Sequence, residues 1–377
     1  MTVFSGDEKK FMAMAIAEAE KGLGRTGPNP AVGAVIVRDG RVVGRGYHRK
    51  AGTPHAEVNA IRDAGSMAEG AVIYVTLEPC NHHGRTPPCS EAVISAGIRR
   101  VVIGALDPNP GVDGGGMQHL SRHGIEVVHG CRERECMRLV APFVKHVIHG
   151  LPWVVCKVAC SMDGRTATRT GHSKWITNSR ARKEGHRLRN RLDAILVGRG
   201  TVEADDPSLT CRMRSGRDPA RIILDTRLSC SPEKRIFNQD SHAPTFIACH
   251  EDVTNKKMRP FVDRGVKCVR LPSGRRGGID LKALLARLGE MGIQSVLVEG
   301  GGRVHGSFWD SGLVDEAFFF YAPKIIGGLE ARAAIGGEGT ALASEAPVLK
   351  DVRHRRLDDN WMISGIVAGH LSFLWDR

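Results

Sequence analysis

The residues between positions 55 and 89 include the side-chain types that hold a metal ion open to chemistry. His55, Cys80 and Cys89 offer one imidazole and two thiolates. Three protein ligands of this kind leave the fourth tetrahedral position of a zinc ion to water. The metal lowers the pKa of that water toward neutrality, so a hydroxide nucleophile exists at working pH. Glu57, two residues after His55, can reach the water without occupying the metal and so act as general acid and base. A closed structural zinc site shows four Cys or His ligands in paired spacings; the further candidates nearby are His82 and His83, and the presence of Glu57 favours catalysis.

This order of His, Glu, Pro and Cys is the pattern of zinc deaminases, with one departure. The residues 81–88 separate the cysteines, where the common pattern has two residues. Gly84, Pro87 and Pro88 suit a compact excursion that returns the second thiolate to the metal. His82, His83 and Arg85 make that loop cationic, as a pocket for an anionic substrate requires. His55 opens a helix, 71–77 reads as an apolar strand, and helices and strands follow over 89–97 and 100–105. Upstream, a helix is predicted over 7–21 with Asp7 as N-cap and Gly22 just past its end. The cluster 27–30 is a Pro-flanked turn in which Asn29 either binds a heterocycle edge or closes an Asx-turn. Strands over 32–37 and 41–47 are joined by the two-residue hairpin Asp39-Gly40. A loop from Asp107, a short helix to His123, a strand over 125–128 and a charged helix over 131–147 complete an alternating α/β pattern. Such alternation predicts a layered α/β domain with helices on both faces of the sheet.

A boundary falls near Gly150-Leu151-Pro152, and the second part carries its own constellation. After a strand from Trp153 come a turn at Asp163-Gly164, a loop over 171–176, and a very basic helix capped by Thr177 or Asn178 and ending near Arg191. A strand over 193–198, a loop over 201–207 with Asp205-Asp206, and strands over 220–225, 245–249 and 266–271 follow. The segment 251–264 is polar and weakly helical, and Asp280 caps a helix to about Met291. The run Ser295 to Val298 then ends in Glu299-Gly300-Gly301-Gly302-Arg303 and opens a helix through Trp309. Glycines between a strand and a helix expose N–H groups at a positive helix terminus, which suits a pyrophosphate. The spacing does not satisfy the dinucleotide fingerprint, and Asp315 is too close to be its ribose-binding acid. Arg189, Arg199, Arg212 and Arg303 lie on or beside the predicted loops and strengthen a phosphate reading.

Composition narrows the partners. The chain has 377 residues, enough for two or three domains, and 41% hydrophobic residues, enough for real cores. A formal net charge of +13 points to an anionic partner. Aromatic content of 5% leaves few stacking platforms for single-stranded nucleic acid, so phosphorylated small molecules are favoured over nucleic acid. No apolar run reaches membrane-spanning length, and the first helix lacks the features of a signal peptide, so a cytoplasmic protein without membrane contact is expected. Apart from Cys80 and Cys89 the cysteines are scattered and read as small buried hydrophobes. Cys156 and Cys160 fall on one face of a single strand.

The motifs resemble, over nearly the whole chain, the bifunctional riboflavin-biosynthesis deaminase/reductases. The likeness rests on Gly27-Pro28-Asn29-Pro30-Ala31-Val32-Gly33, His55-Ala56-Glu57-Val58, Thr76-Leu77-Glu78-Pro79-Cys80, Pro87-Pro88-Cys89 and Asp107-Pro108-Asn109-Pro110. In the second half it rests on Ser161-Met162-Asp163-Gly164-Arg165, Trp175-Ile176-Thr177, 201–210 and Val298-Glu299-Gly300-Gly301. The long gap between the cysteines is that family's own; Asn81 stands where the family commonly has Ser. The resemblance implies a cytidine-deaminase-like α/β/α domain over 1–148 and a dihydrofolate-reductase-like α/β domain over 149–377. It implies zinc-dependent deamination of 2,5-diamino-6-(5-phosphoribosylamino)pyrimidin-4-one, then NADPH-dependent reduction of the ribosyl group to ribityl. It places the cofactor on Ala159, Trp175, Thr201, Asp205, Thr226 and the stretch Gly301, Gly302, Arg303, Val304, His305, Gly306 and Ser307. Substrate contacts are implied for Ser173, Arg189, Leu209, Arg212 and Glu299. A homo-oligomer is expected.

Overall fold

The computed structural model describes residues 3–82, 87–109, 115–274 and 277–369. The chain divides into two compact units, Met1–Gly150 and Leu151–Arg377.

The first unit contains α1 (Gly6–Ala19), β1 (Gly33–Arg38), β2 (Arg41–Tyr47), α2 (Ala56–Ala64), β3 (Val72–Leu77), α3 (Cys89–Ser95), β4 (Arg100–Ala105), α4 (Gly116–Arg122), β5 (Glu126–His129) and α5 (Glu133–His149). The sheet order is β2-β1-β3-β4-β5. The β1–β2 and β1–β3 pairs are antiparallel, and β3, β4 and β5 run parallel. Asp39 and Gly40 both take positive φ, 50° and 73°, as the tight β1–β2 hairpin demands. α1 begins earlier than the sequence suggests. Ser5, not Asp7, is its N-cap, because Ser5 and Glu8 close a reciprocal capping box that satisfies two orphan N–H groups.

Close approach between α2 and β2 sets the position of the metal-binding residues. Ala56, Ala60 and Ala64 make a stripe of small buried side chains, and β2 presents glycines to it. A Cβ on Gly46 would fall 2.3 Å from the Ala56 carbonyl oxygen, and one on Gly44 would fall 2.4 Å from that of Ala60. Asn59 then donates to the Tyr47 and Pro54 carbonyls, each at 3.0 Å, fixing the start of the helix.

The second unit contains β6 (Trp153–Ser161), β7 (Arg165–Ala167), α6 (Ser179–Arg191), β8 (Ala194–Gly198), α7 (Arg199–Asp205), β9 (Ala220–Leu224), β10 (Thr245–His250), α8 (Asn255–Val262), β11 (Lys267–Leu271), α9 (Leu281–Glu290), β12 (Ser295–Val298), α10 (Gly302–Asp310), β13 (Glu316–Ala322), β14 (Arg332–Ala333), β15 (Leu349–Leu357) and β16 (Asn360–Val367). Nine strands form one sheet in the order β11-β10-β9-β8-β12-β6-β13-β16-β15. The run from β11 to β13 is parallel, and β16 and β15 extend it antiparallel. Leu284, Leu285, Leu288 and Phe308 from α9 and α10 belong to the core cluster on the sheet, while Ala181 and Leu188 of α6 pack with Phe320 and Leu357.

One predicted loop is a helix. Residues 199–205 form α7, and Asp206 ends it in the left-handed region with φ 41°. The Asp205-Asp206 pair is thus a helix terminus, with the Asp206 carboxylate accepting from the Arg235 N–H at 2.8 Å.

Candidate active sites

In the first unit the three predicted ligands converge. The donor atoms of His55, Cys80 and Cys89 all lie within 4.8 Å of one another. Cys89 Sγ is 3.1 Å from His55 Nδ1, and Cys80 Sγ is 3.6 Å from it. Each ligand sits at an element end: His55 caps α2, Cys80 follows β3, and Cys89 is the first residue of α3. The Cys89 N–H donates to Cys80 Sγ at 3.4 Å, so the helix start helps to hold the other thiolate. Asn81 accepts from Ser90 Oγ at 2.8 Å, which ties the strand exit to α3. His83 and Arg85 lie outside the described residues.

The charges show what this cluster is built to hold. The hydrogen bond from the Cys89 thiol holds Cys80 down at about 4, against the effect of burial. The same hydrogen bond, with burial, drives Cys89 strongly upward, so the two sulfurs share one proton. The hydrogen bond to Cys80 raises His55 above its ordinary value. Removing the shared proton gives two thiolates beside an imidazole nitrogen, a donor set that fits zinc. Glu57 is buried, and burial, with the Cys80 charge, raises it to about 7.

These groups open on a cleft of about 360 Å³ lined in part by Asn29, His48, Glu57, His82, Asp107 and Asn109. Asn29 Nδ2 lies 3.1 Å from His48 Nε2, and His48 Nδ1 lies 3.3 Å from the Pro54 carbonyl. Asp107 is connected to the cysteine loop through Glu78, whose carboxylate accepts from the Asp107 and Met117 N–H groups. His48, Glu78 and Asp107 escaped the sequence reading as site residues. The Asp107-Pro108-Asn109 turn was the available signal for the last of them.

In the second unit the parallel strands line up the predicted cofactor residues along the carboxyl edge of the sheet, where ligands of open α/β sheets bind. Thr226 follows β9, Thr201 and Asp205 lie on α7 after β8, Gly301 precedes α10 after β12, and Ala159 is near the end of β6. A Cβ on Gly302 would fall 2.4 Å from the Ala333 carbonyl oxygen, so the turn packs backbone against backbone. The N–H groups at the start of a helix have no intrahelical acceptor and suit a pyrophosphate. Gly301, Arg303 and Ser307 are exposed, Gly302 and Val304 half-buried, and His305 and Gly306 buried. Trp175 is exposed beneath the Arg182 guanidinium, 4.5 Å from the ring centroid, and Lys174 pairs with Asp205 at 3.7 Å.

Two of the predicted substrate residues, Arg189 and Glu299, form a half-buried ion pair. Arg189 donates from Nε and Nη2 to the two oxygens of Glu299 at 3.0 and 2.9 Å, and from Nη1 to the Thr210 carbonyl at 3.2 Å. Leu209, beside Thr210, is buried in the left-handed region at φ 54°. The Arg212 N–H donates to His186 Nδ1 at 3.3 Å while its side chain is exposed, and Ser173 is half-buried in the 171–176 loop. Lys157 Nζ, which the sequence reading did not single out, is 3.7 Å from Glu299 Oε2. Burial opposes ionisation of Glu299, but Arg189 and Lys157 outweigh it and hold the carboxyl at about 2.

The fold and the two sites define the chain as an α/β unit with a metal-binding cleft followed by a second α/β unit whose glycine turn suits a nucleotide pyrophosphate. Comparison with known proteins makes the assignment specific. Residues 5–105 match the cytidine and deoxycytidylate deaminase zinc-binding region, and residues 152–363 match the RibD C-terminal domain. The riboflavin biosynthesis protein RibD of Bacillus amyloliquefaciens is 45% identical over 344 residues, 91% of this chain and 92% of that protein. RibD of Escherichia coli strain K12 is 41% identical over 362 residues, covering 92% of this chain and 96% of its own length. A Thermotoga maritima structure described as a diaminohydroxyphosphoribosylaminopyrimidine deaminase/5-amino-6-(5-phosphoribosylamino)uracil reductase superposes with TM-score 0.83 at 38% identity, covering 96% of this chain and 99% of that one. The chain belongs to the RibD family of riboflavin biosynthesis. It is a bifunctional deaminase and reductase whose cofactors are zinc and NADPH.

Proposed function

We propose that His55, Cys80 and Cys89 hold the zinc ion, that Glu57 moves the protons of deamination, and that the substrate is 2,5-diamino-6-(5-phosphoribosylamino)pyrimidin-4-one. The observation that carries this reading is the convergence of one imidazole and two thiols within 4.8 Å of one another, with His55, Cys80 and the buried carboxylate of Glu57 lining one cleft. Zinc, when bound, supplies Lewis-acid activation of water, and NADPH supplies a hydride equivalent. Glu57 takes one proton of the attacking water and passes it to a ring nitrogen, then takes the remaining proton from the new C–O–H group and gives it to the leaving amine, so that the C–N bond breaks as the carbonyl forms and ammonia leaves. Asn29, braced by His48, meets the pyrimidine edge.

In the second unit, residues 301–307 with Ala159, Trp175, Thr201, Asp205 and Thr226 receive the cofactor. Glu299 and Lys157 face the ribosyl group, Glu299 as a carboxylate that Arg189 keeps ionised and Lys157 as the cation beside it, and exposed Arg212 meets the phosphate. Deamination belongs to residues 1–148 and reduction to 149–377. Ten free cysteines support a reducing, cytoplasmic setting. Exposed Val352 and Trp361 on β15 and β16 support a homo-oligomer. A coupled assay tests the reading by following ammonia release and NADPH loss separately on the diaminopyrimidine phosphate. NADPH loss that begins without prior ammonia release would overturn the proposed order.

A further inference from the structure

Beneath the glycine turn of the reductase unit two buried polar side chains touch. Cys156 Sγ on β6 lies 3.0 Å from His305 Nδ1 on α10. Cys156 is fully buried and His305 is 2% exposed. The Gly300 backbone also hydrogen-bonds to the ring. Burial and the nearby Lys157 charge hold His305 down at about 4, so the imidazole is neutral at pH 7. A neutral imidazole carries one donor and one acceptor nitrogen. A thiol below and a backbone group above give it one partner on each side. The surrounding core is apolar, with Val154, Val298 and Phe308 packed nearby. Burying a ring with two polar nitrogens there costs free energy unless both are used.

The ring lies where it can set the shape of the turn. A Cβ on Gly300 would fall 2.5 Å from Val304 Cβ, and the Gly336 N–H donates to the Gly302 carbonyl at 2.9 Å, so the turn is tightly packed against its surroundings. The His305 side chain lies buried beneath the turn, while its backbone belongs to the stretch proposed to receive the cofactor. We propose that His305 is a positioning residue: its imidazole ties the Gly300 turn to Cys156 on β6 and so holds the first-turn N–H groups of α10 in the arrangement that receives the cofactor pyrophosphate. The proposal rests on the reading of this turn as the cofactor site.

The test uses the full-length enzyme. NADPH is titrated by nicotinamide fluorescence into wild type, His305→Leu, His305→Asn, Cys156→Val and the His305→Leu/Cys156→Val double variant, and amide exchange over 300–305 is followed with and without NADPH. His305→Leu should raise the NADPH Kd and KM about tenfold, the scale of a lost buried hydrogen bond, with the larger part of the change falling on KM rather than kcat. His305→Asn, which keeps a donor and an acceptor, should recover most of the affinity. Cys156→Val should weaken binding on its own and add nothing to His305→Leu, as expected for two residues acting through one contact. Should His305→Leu not fold, Cys156→Val and His305→Asn still decide the matter. Wild-type affinity in both Cys156→Val and a folded His305→Leu overturns the proposal, as does a loss in His305→Asn as large as in His305→Leu. Failure of NADPH to slow exchange over 300–305 in the wild type overturns the underlying reading of the turn, and the positioning role with it.

Discussion

Arg189 and Glu299, 110 residues apart in sequence, form a two-point ion pair in which both carboxylate oxygens are engaged. Arg189 orients Glu299, and Lys157 completes a site with two cations around one carboxylate.

The pair has a pH signature. Glu299 is depressed from 4.5 to about 2 in the folded protein. A group with a lowered folded pKa stabilises above its unfolded pKa, and that stability is lost as pH falls toward the folded value. The reductase unit should therefore be flat in stability at and above neutrality and lose on the order of 3 kcal/mol between about pH 5 and 2 from this group. Urea unfolding of wild type and Glu299→Gln at pH 7, 4 and 3 checks this. The variant should be less stable at pH 7, because two half-buried cations lose their partner, and its slope in the acid window should be shallower.

The metal site makes its own prediction. One zinc per chain is expected, and Cys80→Ser and Cys89→Ser should each lose it by elemental analysis, because a neutral hydroxyl replaces a thiolate. Full occupancy in both variants would remove these residues from the ligand set.

Gly46→Ala tests the way α2 is seated. The added methyl would meet the Ala56 carbonyl, between His55 and Glu57 in sequence. Relief requires moving the helix start, at a cost of about 1–3 kcal/mol for overpacking. Zinc content and ammonia release should fall while NADPH-dependent reduction of the deaminated substrate continues. A fully active, zinc-loaded Gly46→Ala would mean that α2 is not held by this contact.

Arg227→Ala addresses cofactor choice. Arg227 is exposed just after Thr226 at the end of β9, where a cation can hold a 2′-phosphate by charge-assisted hydrogen bonds. The ratio of NADPH to NADH affinity should shrink in the variant, measured by fluorescence titration of both. An unchanged ratio would place the phosphate on other residues.

The features that could be read from the chain were those with local causes. Asp39-Gly40 forces a hairpin by its backbone preferences, and His55, Glu57, Cys80 and Cys89 sit at element ends that hydrophobic runs delimit. Lys157 was hidden because it is one cation in an apolar strand, and its meaning depends on Glu299 far along the chain. His48 was hidden for the same reason: its partners, Asn29 and the Pro54 carbonyl, are defined by the fold. α7 was misread because acidic residues that end a helix look like loop residues. The antiparallel edge was missed because β15 is exposed along almost all its length and has no buried face to announce it.

Glu57→Gln separates the two activities. Glutamine keeps the size of the side chain and removes the carboxylate, so the fold of α2 and the three ligands should persist with zinc bound. Positioned acid–base groups typically contribute about 10² to 10⁴-fold, and Glu57 handles several transfers in one cycle, so ammonia release should fall by the upper end of that range or more. Every group proposed for reduction lies beyond residue 150, the last of the first compact unit. Given the already deaminated pyrimidine, the variant should therefore oxidise NADPH at close to the wild-type rate, while the diamino substrate yields almost no ammonia. Loss of both activities together in folded, zinc-loaded protein would show that the reductase depends on the deaminase site and would undo the division of labour between the two halves.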